Sequence, residues 1–249
     1  MLPWVILPGT LCTGDCFAPV LAALSARGIN VTSTDFIPGA TADARDDARE
    51  LLATGPERFI ACAFSLGGMI ALQAAISDQS RIAALILISV NGRADPARNA
   101  DARRAQLDEV RRIGPARMVR DTLWPGYVAA ACIDNHQLKH RVAAMADGVG
   151  MDRFCNQVEI AIGRPNVLPL LKALKMPALV LSGADDVLTP TDRGAEIAAG
   201  LPHARHAIIP DAGHFLLMEK PEDTATAIAE WLTQTGLATA VCEDAGGTR

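Results

Sequence analysis

The chain has 249 residues, of which 50% are hydrophobic and 20% charged, with a formal net charge of −5. That length and composition describe one large globular domain, or one domain carrying an insertion, and exclude a disordered chain. The mild negative charge leaves no electrostatic footprint for nucleic acid.

Along the chain, short apolar runs alternate with longer helical patterns. Residues 4–7 read as a first strand, closed by the turn signal Pro8-Gly9, and 17–27 as a helix. Strand candidates follow at 29–35, 58–64, 84–90, 178–182 and 204–209, with helices at 42–53, 66–77, 191–199 and 221–233. Near-continuous apolar strands suit a parallel sheet buried on both faces, and strand–helix alternation suits a doubly wound α/β fold. The expected sheet is mostly parallel, with about six strands.

One segment breaks the rhythm. Between residues 91 and 175 no good strand is found. Helical stretches lie at 99–113, 115–123, 129–146 and 152–162, separated by Gly114-Pro115, Trp124-Pro125-Gly126 and Arg164-Pro165-Asn166. The expected organisation is therefore a core of residues 1–90 and 176–236, a helical cap at 91–175 that forms a lid or binding wall, and a flexible tail at 237–249. Trp124, Tyr127 and Met145 are candidate wall residues, with core packing the alternative.

No apolar run reaches the roughly 18 residues that span a bilayer, and no signal-peptide pattern follows Met1, so a soluble cytoplasmic protein without a membrane partner is expected. The six cysteines, at 12, 16, 62, 132, 155 and 242, contain no C-x2-C pair and read as reduced thiols. His136 and His140 have metal-binding spacing but no evident third ligand, and read as a solvated helix face. His203 and His206 read as surface residues. The arginines at 98, 103, 104, 111 and 112 alternate with acids and read as a solvated face as well.

Three sites carry chemistry. Ser65 stands where the third strand meets a helix, with small residues, Ala63 and Gly67, two positions to either side. A serine nucleophile on so sharp a turn needs small neighbours, and the free N–H groups of the following helix face the oxyanion that forms. Asp185 and Asp186 follow the fifth strand, and His214 follows the sixth behind Gly213. All three positions lie beyond strand carboxyl ends, where parallel α/β sheets bind ligands. The order serine, acid, histidine is the order of a Ser–Asp–His triad in α/β hydrolases.

With these motifs the chain resembles the α/β-hydrolase superfamily over nearly its whole length. Leu7-Pro8-Gly9-Thr10 resembles the oxyanion loop, and Ala63 to Gly68 the nucleophile elbow. Leu181 to Pro190 resembles the acid-bearing loop, and Gly213-His214 with the helix ending near Trp231 resembles the C-terminal region. The resemblance implies an esterase-like enzyme with a helical cap. It places the acid three residues after Gly183, at Asp186, and implies backbone oxyanion donors at Thr10 and Leu66, with Leu11 as the alternative to Thr10. It also implies that the usual N-terminal hairpin is missing.

Two departures stand out: Pro8-Gly9 where many relatives have His-Gly, and Ala63 where many have glycine. Neither removes a catalytic group. The expected function is a cofactor-free serine hydrolase acting on a small-molecule ester, thioester or lactone. A serine-triad lyase or perhydrolase, and a non-catalytic ligand-binding protein, remain the alternatives. A dehalogenase would need a carboxylate where Ser65 stands. If neither aspartate of the pair serves, Asp95 beyond the fourth strand is the next candidate acid.

Overall fold

The computed structural model describes residues 2–237. The tail expected at 237–249 therefore falls, from residue 238 on, outside the described residues, as does Cys242. Six strands form one sheet: β1 (Trp4–Leu7), β2 (Ser33–Asp35), β3 (Phe59–Phe64), β4 (Ile82–Ile88), β5 (Ala178–Gly183) and β6 (Ala204–Ile209). All neighbours pair in parallel, in the order β2-β1-β3-β4-β5-β6.

Side chains of successive strand residues point to opposite faces, so each apolar strand feeds two cores. On one face Ile6, Ile60, Cys62, Phe64, Ile86 and Leu181 pack against α1 (Ala18–Ala26) and, near the C-terminus, α11 (Pro221–Gln234). On the other, Val5, Leu7, Ala61, Ala63, Leu85 and Val180 meet α2 (Ala44–Thr54), α3 (Leu66–Ser77) and α9 (Thr191–Gly200).

Two strand expectations needed correction. The second strand is three residues long rather than 29–35, because β2 is a sheet edge with exposed side chains and pairs with β1 alone. The fourth begins at Ile82 and ends at Ile88, where Ser89 turns to a positive φ of 51°.

Between β4 and β5 the chain is helical: α4 (Ala100–Ile113), α5 (Pro115–Met118), a π-helical turn (Val119–Leu123), α6 (Trp124–Tyr127), α7 (His136–Val149) and α8 (Met151–Gly163). Trp124-Pro125-Gly126 does not break the helical path as expected. Pro125 sits in the first turn of α6, directly after the π-helical turn Val119–Leu123, and the chain stays helical through it. The third cap helix starts at His136 rather than near 129, because the Asn135 side chain accepts the Leu138 N–H at 3.0 Å and caps it there. A 3-10 stretch, Leu168–Ala173, and the short α10 (Leu216–Glu219) were not anticipated.

The helical segment is anchored to the core through the loop after β2. Gln157 of α8 donates to the Pro38 carbonyl at 2.9 Å, Asn156 donates to that of Gly39 at 3.1 Å, and Arg153 donates to that of Ile37. Gly39 has a φ of +95°, and a Cβ there would stand 2.6 Å from the Arg153 carbonyl oxygen, so only glycine permits this approach. Buried Asp47 holds the same loop by accepting the Gly39 and Thr41 N–H groups at 2.6 and 2.7 Å. No helix among the described residues is long and apolar enough to cross a membrane.

Candidate active site

From β1 the chain runs to β2 on one side of the sheet, while β3 to β6 extend on the other. The order reverses between β1 and β3, and the loops leaving those strands diverge there to open a crevice. Ser65 lies at this point, on a one-residue turn from β3 into α3, with φ 51° and ψ −114°. A serine in that region costs on the order of 1–3 kcal/mol, held here by the flanking strand and helix. The Ser65 N–H is tied to the Ile88 carbonyl at 2.9 Å. A Cβ on Gly67 would lie 2.1 Å from the Leu7 carbonyl oxygen, so the start of α3 approaches β1 this closely only with glycine.

His214 reaches Ser65 from the loop after β6, with Nε2 at 3.0 Å from the Ser65 Oγ. Its Nδ1 is 2.8 Å from Asp186 Oδ2. A carboxylate only accepts, so Nδ1 carries the proton and Nε2 is left to accept from the serine hydroxyl. The other carboxylate oxygen accepts the Leu188 and Thr189 N–H groups at 2.9 and 2.8 Å, which fixes the buried Asp186 in orientation. Asp185 is exposed, and the carboxylate hydrogen-bonded to the histidine among the described residues is that of Asp186. Glu219, unremarked as a functional group in the sequence, braces this loop. Its carboxylate accepts the Gly213 N–H at 3.1 Å and the Ala129 N–H, from the helical segment, at 2.7 Å. Burial pushes its carboxyl above the ordinary range, against the pull of those two N–H groups.

Thr10, Leu11 and Leu66 all border the cavity in front of Ser65. The Leu66 N–H opens α3 and has no acceptor within its helix. The Leu11 N–H does have a partner: it donates to Gln157 Oε1 at 3.0 Å in a buried contact. Among the described residues no backbone acceptor bonds the Thr10 N–H. Gln157 thus clamps the loop after β1 with its oxygen and the loop after β2 with its nitrogen. Gln157→Leu leaves the buried Leu11 N–H unpaired, which should cost about 1–3 kcal/mol of stability. Urea unfolding of the two proteins checks this.

The cavity in front of Ser65 has a volume of about 270 Å³. Leu123, Tyr127, Phe154 and Val158 form an apolar wall contributed by the helical segment. Tyr127 borders the cavity, whereas Trp124 is buried in the core with its indole N–H on the Ile133 carbonyl at 2.8 Å; Met145 is buried and does not border it. Arg104, Arg111 and Arg112 pair with surface acids as expected of a solvated face.

Arg103 does not follow them. Its Nε and a terminal nitrogen donate to the Asp95 carboxylate at 2.8 and 3.0 Å, and Arg164 donates to the same carboxylate at 2.8 Å. Asp95 is thereby engaged away from His214. His206, expected on the surface, is half-buried with Nε2 at 3.0 Å from Ser182 Oγ, whereas His136 and His140 are exposed on α7.

The Asp95 side chain is 1% exposed. Burial pushes its carboxyl up, but the hydrogen bond from Arg103 and the charges of both arginines outweigh burial and hold it below the ordinary value of 3.8. A lowered carboxyl contributes stability that is present above that value and is lost as pH falls through the folded one. Asp95→Asn should therefore destabilise the protein by about 3 kcal/mol at neutral pH, because it leaves the arginines unpaired. The deficit in denaturant unfolding should narrow below pH 3.8.

With this geometry in view, a sequence model of the alpha/beta hydrolase family matches residues 4–227. The chain belongs to the α/β-hydrolase family. Among solved α/β hydrolases, a thermophilic esterase from Thermogutta terrifontis superposes with a TM-score of 0.81 at 25% identity, over 94% of this chain and 90% of that one. RutD of Variovorax paradoxus, named as a carbamate hydrolase, is 32% identical over 178 residues, 69% of this chain and 64% of its own. BpoC of Mycobacterium tuberculosis, named as a non-heme bromoperoxidase, is 44% identical over 66 residues, 26% of this chain. The alignment spans only 25% of BpoC.

Proposed function

We propose that this α/β hydrolase is a serine hydrolase acting on a small-molecule ester, thioester or lactone. The observation that carries the reading is the continuous hydrogen-bonded chain from Ser65 through His214 to Asp186, opening on a cavity. In this reading the Ser65 oxygen attacks the acyl carbonyl carbon while His214 Nε2 takes its proton. Asp186 holds the tautomer and stabilises the imidazolium. The carbonyl oxygen becomes an oxyanion and accepts from the N–H groups of Thr10 and Leu66. The bond between Gln157 and Leu11 favours Thr10 over Leu11 as the second donor. Loss of one such donor costs roughly 100- to 1000-fold in rate. The alcohol or thiol leaves with the proton from His214, and water, deprotonated by the same histidine, hydrolyses the acyl-enzyme.

Two assays test this: turnover of p-nitrophenyl acetate and butyrate, and covalent labelling by a fluorophosphonate. Both should be positive with the wild-type protein. Absence of both would leave a ligand-binding protein on a hydrolase fold.

A further inference from the structure

One wall of the cavity does not serve the acyl chemistry. Arg103 and Arg164 border it, together with Gln106 and Asn91, and no aspartate or glutamate is among its lining residues. Behind the two guanidinium groups stands one carboxylate, Asp95. The cluster therefore holds two positive charges against one negative, and the excess is presented to a partly desolvated cavity. Arg164 is nearly used up: it donates to Asp95 at 2.8 Å, to the Arg93 carbonyl at 3.0 Å and to the Ala161 carbonyl at 3.2 Å. Arg103 is not. Its bonds to Asp95 use Nε and one terminal nitrogen, while the other terminal nitrogen has no acceptor among the described residues. Asp95 grips Arg103 on one edge and fixes it in place, leaving charged donor capacity for a ligand.

We propose that the substrate carries a carboxylate besides its reacting acyl group, and that Arg103, aided by the neighbouring side-chain amides, binds it. This rests on the serine-hydrolase reading and narrows its substrate class to half-esters and related acyl acids. A cavity of about 270 Å³ suits a compact molecule of this kind. Arg103 is the specificity-determining residue. Arg164 and Asp95 are positioning residues, which hold Arg103 and maintain the net charge.

The test uses two substrates of equal size, the monophenyl ester of adipic acid and the monophenyl ester of its monoamide, with phenol release as readout. A charge-assisted bond is worth a factor of roughly ten to a hundred, so kcat/KM should favour the acid by that much, chiefly through KM. Arg103→Gln should bring the ratio close to one, and Arg103→Lys should retain part of it. Calorimetry with adipate and adipamide supplies a readout independent of turnover: adipate should bind more tightly to wild type, and Arg103→Gln should remove the difference. A wild-type ratio near one with both esters hydrolysed overturns the carboxylate site and leaves the hydrolase standing. Adipate binding that depends on Arg103, with neither ester hydrolysed, keeps the site and overturns the hydrolase. A preference that survives Arg103→Gln assigns recognition elsewhere and overturns the role of Arg103.

Discussion

Ser65→Ala is expected to abolish fluorophosphonate labelling and to lower turnover of p-nitrophenyl butyrate by about a millionfold, as loss of the nucleophile does in a comparable enzyme. The reason is specific to this turn. The hydroxyl is the group that His214 Nε2 meets at 3.0 Å, at the mouth of the crevice between the loops after β1 and β3. Ser65 also occupies a strained conformation, φ 51°, that alanine adopts no more readily, so the variant should fold with nearly unchanged stability. Labelling that persists in Ser65→Ala, with the variant folded, would move the nucleophile to another residue. The residual rate also informs: the oxyanion donors and binding alone support roughly a thousand- to ten-thousandfold over water in a comparable site.

Asp186→Asn is expected to cost about ten-thousandfold in kcat, and Asp185→Asn almost nothing. The two side chains are adjacent in sequence and opposite in circumstance. Asp186 is 4% exposed, and its two oxygens accept from the backbone of Leu188 and Thr189 and from His214 Nδ1. An amide there presents an N–H to one of those donors or forces the imidazole into the other tautomer, which removes the acceptor for the serine proton. Asp185 faces solvent, and a surface substitution of this kind changes stability by less than about 0.5 kcal/mol. Steady-state kinetics on the two purified variants decide between them. A crippled Asp185→Asn would mean that the carboxylates exchange roles in solution. Full activity in both would reduce the bond between Asp186 and His214 to a structural one.

Much of the architecture was readable from local pattern. The strands β1, β3 and β5 are short apolar runs, and the sheet buries both their faces, so composition alone marks them, whereas β6 is a partly exposed edge strand that carries Arg205 and His206. The helical pattern at 66–77 coincides with α3 at both ends. The order of Ser65, Asp186 and His214, each just past a strand, also lies in the one-dimensional text. The bounds of β2 are faint in the sequence, because a sheet edge with exposed side chains imposes little pattern.

What the tertiary structure decided are the contacts between residues far apart in the chain. On α4, Arg103 and Arg104 look alike in sequence, yet they point about 100° apart. One therefore reaches Asp95 and the cavity wall, and the other pairs with Glu159 on the surface. Which face of a charged helix turns inward depends on how the helix docks, and periodicity is weak where both faces carry charge. The clamp of Gln157 on Leu11 joins residues 146 positions apart, and no local signal marks either member. Sequence by itself determined the α/β alternation and the places of Ser65, Asp186 and His214 just past their strands. Only the packing of the helical segment over the sheet decided which N–H groups remain free, which arginine turns inward and what charge the cavity presents, because each depends on distances set by the whole fold.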